Sequence, residues 1–318
     1  MAGGAVSASQ AGAPATRDPA AKKPRVTERA KAERRLAYLL CAPAVLAMLL
    51  VTGYPVGYAI YLSLQRFDLR FPDDKEFVGL DNYVNVLTST TWWSDFLSTA
   101  IITVASVSIE LVLGMALALV MHRAIFGRGA VRASVLIPYG IVTVVAAFAW
   151  RFAFDPSTGF VAGLPLIADD AAPLTDTFGS YVVIIMTEVW KTTPFMALLL
   201  LAGLALVPDE LHEAAKVDGA SAVQRFFRIT LPLMKPAILV ALLFRTLDAF
   251  RVFDSVFILT AGANNTETVS ILGFNQLINR LNLGIGSAVS VLIFLCVIII
   301  AVAFVKGLGA NTDTARGT

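Results

Sequence analysis

The stretch EAAKVDGASAVQRFFRITLPLMKP, residues 213–236, lies between two long apolar runs and decides how this chain is read. Pro208 closes the run before it, and Asp209 and Glu210 put negative charge where a new helix has its positive end. No proline interrupts Glu213 to Ile229, and Ala222, Phe226 and Ile229, with Val223 and Phe227, recur at helical spacing. Ala215, Gly219 and Ala222 add a strip of small side chains that lets another surface come close to the backbone. Leu231-Pro232 is expected to stop this helix and Pro236 to start the next. The spacing predicts a short helix–turn–helix at a membrane surface, with Glu213, Lys216 and Asp218 exposed. A connector that merely lies on lipid is the alternative that periodicity leaves open, although it needs neither Gly219 nor a small face.

The surrounding composition belongs to a membrane. Of 318 residues 57% are hydrophobic and 15% charged, where soluble domains carry about a quarter charged, and the mean hydropathy is +0.74. Six apolar runs reach the roughly 20 residues that a spanning helix needs, at about 36–63, 97–121, 131–153, 180–206, 236–260 and 285–306. A barrel would show short alternating segments instead. The chain therefore reads as an all-α membrane protein with six transmembrane helices. Residues 1–35 form a low-complexity basic tail, 36–306 the membrane domain with a polar loop at 208–235, and 307–318 a second tail.

The first run is too long for the apolar part of a cleaved signal. Cys41 lacks the small preceding residue of a lipid-attachment site, since Leu40 stands there, and Cys296 is mid-span, so neither a disulfide nor a metal site is expected. With the N-terminus inside, the inner segments hold 17 of the 25 Lys and Arg residues, among them Arg123, Arg128, Lys216, Arg225 and Arg228. That bias places both termini in the cytoplasm. The basic N-terminal tail reads as a mark of sidedness rather than of nucleic-acid binding.

Ionisable residues inside spans are costly and face a partner or a cavity. Arg245, Asp248, Arg251 and Asp254 alternate in sign at intervals of three, so each could meet an opposite charge along one helical spiral. Glu188 and Lys191 have the same spacing. Such a ladder can be purely structural; the other reading is that Arg245, Asp248 or Asp254 borders a polar path and meets sugar hydroxyls. Thr192 and Thr193 precede Pro194, where a kink frees carbonyls that could line the same path, and Trp190 could stack on a sugar ring or serve as packing.

The 213–232 stretch resembles the EAA loop of ABC importer permeases: Glu-Ala-Ala, three residues, Gly, nine residues, Ile-x-Leu-Pro. Glu213-Ala214-Ala215, Gly219 and Ile229-Thr230-Leu231-Pro232 keep every spacing. The resemblance implies a coupling helix docked in a cleft of a cytoplasmic ATPase. Glu213 would then pair with a basic group there, Gly219 would permit the turn, and Ala214, Ala215 and Ala220 would fit the cleft, with Asp218, Ile229, Leu231 and Pro232 completing the motif. FVGLDNY (77–83), LIPYGIVTVVAAFAW (136–150), VWKTTPFMALLLLAGL (189–204) and RTLDAFRVFDSVFILT (245–260) are similar to the maltose-type sugar permeases, and within them to the first permease of actinobacterial trehalose importers. Two departures stand near the outer mouth or pathway: LTAGANN replaces the relatives' Leu-Thr-x-Gly-Gly-Pro, and Ile141-Val142 replaces a second proline after Pro138.

The resemblance implies a type I ABC importer permease fold and import of a sugar, trehalose or a related oligosaccharide, with glycerol phosphate as another substrate of similar permeases. Its partners would be an ATPase dimer, a second related permease and an extracytoplasmic sugar-binding lipoprotein. The chain has no G-x-x-x-x-G-K-[ST] phosphate loop, so ATP and Mg would be bound by the ATPase and no cofactor by this chain. An ion-driven carrier using Glu110, Asp248 and Asp254 would need neither the loop nor would it lack repeated halves. His122 and His212 have no metal-ligand or nucleophile arrangement around them, so no catalytic constellation is expected.

Overall fold

The computed structural model describes residues 28–123, 128–161 and 172–312. Residues 1–27 of the expected 1–35 tail, 313–318 of the expected 307–318 tail, loop residues 124–127 and outer-segment residues 162–171 lie outside the described residues. Residues to Val56 form one compact unit and Gly57 onward another.

In the first unit, helix α1 spans Glu28–Met48 and passes through a π-turn at Leu49–Gly53. The helix thus begins before the apolar run at 36, because ERAKAERR consists of good helix formers. Helix α2 covers Tyr54–Ser63. The second unit, from Gly57 on, has a small antiparallel hairpin, β1 at Gln65–Arg66 and β2 at Glu76–Phe77. The Asn82 amide, inside the FVGLDNY segment, pins it by donating to the carbonyls of Ser63 and Gln65 at 2.8 Å each.

The core of the second unit is built on α4 (Thr90–Arg123) and α7 (Thr177–Leu204), which pack along each other. On α4 the buried positions Ile102, Ser106, Val107, Glu110, Gly114, Met115, Ala118 and Met121 trace one helical face, while Val104, Val112 and Val120 point outward. Gly114 permits the close approach: a β-carbon there would lie 2.8 Å from Met196 Cγ and 3.2 Å from the Ala197 backbone nitrogen. Between them in the chain lie α5 (Arg128–Gly140) and α6 (Thr143–Ala153); α3 (Asp81–Thr88) precedes α4.

The run at 131–153, read as a single span, is two helices meeting at 85°. Pro138 and Gly140 weaken the last turn of α5, and Val142 turns extended (φ −57°, ψ 133°), so the chain breaks without the second proline. Among the described residues, five helices are long and apolar enough to cross a membrane, or six if this bent pair is one span.

After α7 come α8 (Asp209–Val217), α9 (Ala222–Arg225), a π-turn at Phe226–Thr230 and α10 (Leu231–Ala249). Leu231-Pro232 does not stop the helix as expected. The Leu231 amide reaches back to the Phe226 carbonyl, and this extra-residue turn takes the helix past Pro232, so 222–249 runs as one 28-residue element. It ends at Ala249, short of the apolar run's end at 260; α11 (Asp254–Leu259) is separate. Helices α12 (Val269–Phe274) and α13 (Leu283–Thr312) complete the described residues, with α13 packed on α10, α12 and α3.

Candidate functional site

At the centre of α4, α7 and α10 sits Arg245, 1% exposed, against Glu110, which is fully buried. Arg245 Nε donates to Glu110 Oε2 at 2.5 Å, and Nη2 donates to Glu110 Oε1 and Glu188 Oε2, each at 3.0 Å. Nη1 donates to Asp248 Oδ2 at 2.7 Å. The planar fork of a guanidinium is what allows one cation to serve three carboxylates. Remaining acceptors are also met: Ser255 Oγ donates to Glu188 Oε1 at 2.6 Å. The Thr192 hydroxyl lies 2.7 Å from Glu110 Oε1 and 2.6 Å from the Glu188 carbonyl, sharing its one proton between them.

The four-charge ladder therefore has one rung. Arg245 pairs with Asp248, but α10 ends at Ala249, and Arg251 instead donates to the Leu247 carbonyl at 3.3 Å. Glu188 pairs with Arg245 rather than with Lys191. Lys191 Nζ donates to the Ile141 carbonyl at 3.0 Å, at the α5–α6 break, and sits 5.6 Å from the Tyr139 ring centre. Tyr139 stacks on Phe195 at 5.4 Å.

One side of this cluster opens into a cavity of about 440 Å³. Tyr139, Thr143, Lys191, Thr192, Asp248, Arg251, Asp254 and Ser255 line it, and the Asp248 side chain is 67% exposed within the chain. Such a wall, an aromatic ring among hydroxyls and charges of both signs, suits a polar neutral solute, and the volume is that of a small-molecule site. Of the residues singled out in sequence, Thr192, Asp248 and Asp254 line the cavity. Arg245 is sealed behind it. Thr193 is buried and bonds the Val189 carbonyl at 2.6 Å, and Trp190 packs edge-on against Trp150. Tyr139, Thr143, Lys191, Arg251 and Ser255 were not foreseen on this wall; the signal for Tyr139 is its place one residue after Pro138, at the helix break.

The loop at 208–235 has a different construction. Gly219 sits at φ +81°, and its amide bonds the Lys216 carbonyl at 3.0 Å while the Ala220 amide bonds that of Ala215 at 2.8 Å. This pair of bonds is a Schellman closure, which requires the left-handed conformation that glycine adopts freely. Ser221 then opens α9 in a capping box: its Oγ accepts from the Gln224 amide at 3.2 Å and its amide donates to Gln224 Oε1 at 2.8 Å. Because Gly219 is at the turn, Ala215, Gly219 and Ala222 do not form one helical strip. Glu213, Ala214 and Asp218 are exposed, with Ala215 and Ala220 half-buried beside them. Ile229 lies in the π-turn, and Leu231 and Pro232 form the first turn of α10.

A family model described as the inner membrane component of binding-protein-dependent transport systems matches residues 92–312. The chain belongs to this family. It is 58% identical over 279 residues to the trehalose transport system permease protein SugA of Mycobacterium tuberculosis, covering 88% of this chain and 90% of that protein. It is 40% identical to the trehalose/maltose transport system permease protein MalF of Thermococcus litoralis, over 86% of this chain and 94% of the relative. Among solved structures, a bacterial ABC transporter that imports alginate aligns with a TM-score of 0.75, covering 89% of this chain and 99% of that one, at 24% identity. The fold is thus that of type I ABC importer permeases, in an inner membrane component.

Proposed function

We propose that the chain is the permease subunit of an ATP-driven trehalose importer. The observation that carries this reading is the 58% identity to a trehalose permease over nearly the full length of both chains. Its partners in this reading are a second permease, a cytoplasmic ATPase dimer that binds ATP and Mg, and an extracytoplasmic sugar-binding protein. The chain itself performs no catalysis. Its termini and the 208–235 loop face the cytoplasm, as the basic loops favour.

The geometry supplies a route for the motion. Helix 222–249 starts at the Gly219 turn and carries Arg245 near its other end. At 1.5 Å per residue it is a rod of about 40 Å. Movement of α8, held in the ATPase through Glu213, Ala214, Ala215 and Ala220, passes along this rod to the Arg245 cluster and so to the cavity wall. Alternate exposure of that cavity to the two sides moves the sugar. Lys191 and Arg251 face Asp248, Asp254 and Glu188 on the wall, so the cavity has no excess of positive charge, which favours a neutral sugar over a phosphate ester. A maltose-like disaccharide is the second reading, favoured by the likeness to the trehalose/maltose permease of Thermococcus litoralis.

ATPase activity of the full complex in nanodiscs, titrated with trehalose, maltose and glycerol phosphate, tests this. Stimulation by trehalose through the binding protein is expected. Stimulation by glycerol phosphate alone would overturn the assignment.

A further inference from the structure

A larger cavity, about 770 Å³, lies where the end of α4 meets α8, α9 and the π-turn that follows. It is separate from the sugar wall and borders the face of α8 that carries Glu213, since Asp209 and Lys216, one turn either side of Glu213, line it. Its wall has two parts. The polar part holds His122 and Arg123 at the end of α4, Lys216 on α8 and Arg225 on α9, against one acid, Asp209. Arg225 is half-buried, yet neither it nor Arg123 nor Lys216 makes a side-chain hydrogen bond or ion pair among the described residues. Three cations around one cavity with a single carboxylate make a site for an anion.

The apolar part says which anion. Val120 is 59% exposed and Phe227 60% exposed at the cavity, and Leu119 and Phe226 line it beside them. Val120 continues the outward-facing strip of α4 through Leu113 and Ile109, 45% and 43% exposed. A soluble phosphate has no use for this strip. A lipid satisfies both parts, because α4 changes from Val120 to His122-Arg123 within one turn, as a helix does on leaving hydrocarbon for headgroups.

We propose that this cavity holds the headgroup phosphate of an anionic phospholipid, with Arg123 and Arg225 on the phosphate and an acyl chain along Val120 and Leu113. The bound lipid ties the end of α4 to the start of the 222–249 helix, so it braces the loop from the membrane side. The site does not depend on which sugar is carried or on whether ATP drives the protein.

The first measurement uses the unaltered complex in its own membrane. Photoactivatable phosphatidylglycerol is added and labelled peptides are mapped. Labelling concentrated on the peptides containing residues 113–123 and 222–228 is expected; labelling spread evenly over α4, α10 and α13 would overturn the proposal. The second counts dioleoylphosphatidylglycerol retained by the purified complex in native mass spectrometry. Arg123→Gln with Arg225→Gln is expected to weaken retention about tenfold or more, whereas Arg66→Gln with Arg70→Gln leaves it unchanged. Equal retention by both pairs overturns the site. Dioleoylphosphatidylcholine held as tightly shows an apolar groove only, and displacement of phosphatidylglycerol by millimolar glycerol phosphate shows a free-anion site; either result overturns the lipid assignment. Sugar-stimulated ATPase activity is measured on the same samples, so failure of the lipid site and failure of the transport reading are separately visible.

Discussion

Arg245 holds two buried carboxylates, Glu110 and Glu188. Removing the cation leaves Glu110 and Glu188 facing each other in the interior, a change that costs on the order of 3–5 kcal/mol. Thr192→Val removes one hydroxyl bond, a loss of about 1 kcal/mol. Thermal unfolding of the nanodisc complex should therefore fall far more for Arg245→Met than for Thr192→Val; equal losses would mean that the cluster does not hold the three helices. Just after α6, Asp155 caps its own turn, accepting from the Ser157 hydroxyl at 2.7 Å and from the Ser157 and Thr158 amides at 2.9 Å each, and these bonds, with that of the Ser157 hydroxyl foremost, hold its carboxyl down to about 2. The folded value is lowered, so the contribution is present above the unfolded value near 3.9 and lost as pH falls towards 2. Hydrogen exchange of the 155–158 turn, corrected for intrinsic rates, is expected to be flat from pH 5 to 8 and to rise below about pH 4; a rise between pH 5 and 7 would contradict this. At this scale the need of Glu110 for a partner was legible from its place mid-span. The partner was not, because local spacing offers Lys191 to Glu188 and Asp248 to Arg245, whereas Arg245 reaches Glu110 across 135 positions and Glu188 across 57.

Helix α8 and its turn are the most legible element, since glycine after a helix and Ser-x-x-Gln before the next are local signals whose bonds lie within six residues. A β-carbon on Gly219 would meet nothing within 4 Å, so the cost of replacing it is the left-handed backbone alone, about 1–2 kcal/mol. Asparagine tolerates that conformation and valine does not. Sugar-stimulated ATPase activity should survive in Gly219→Asn and drop in Gly219→Val; parity between the two would show that the turn's conformation is irrelevant to coupling. The π-turn at 226–230 was hidden, because an inserted residue leaves the apolar spacing nearly unchanged while letting the helix pass a proline that otherwise reads as a stop. The end of α10 at Ala249 was hidden for a related reason: the apolar run continues through Phe250, Val252 and Phe253 although the backbone turns there.

For the whole molecule, hydropathy marks where the chain can enter a membrane, but it does not specify how helices cross or bend. The 85° corner between α5 and α6 depends on the two residues after Gly140, and its consequence, the Ile141 carbonyl offered to Lys191, is a contact across 50 positions. The close packing of α4 on α7 depends on Gly114 meeting Met196, again a pairing of distant residues that no local pattern reveals. What joins the scales is helix 222–249, which begins at the loop and ends at the buried charges. The measurement that tests this account most directly is trehalose-stimulated ATP hydrolysis and uptake, read together in proteoliposomes, for the unaltered complex and for Glu213→Ala with Gly219→Trp. The account requires both activities in the first and, in the second, an assembled complex whose hydrolysis no longer answers to the sugar and whose uptake is lost. Undiminished ATP-dependent uptake by the double variant would contradict it.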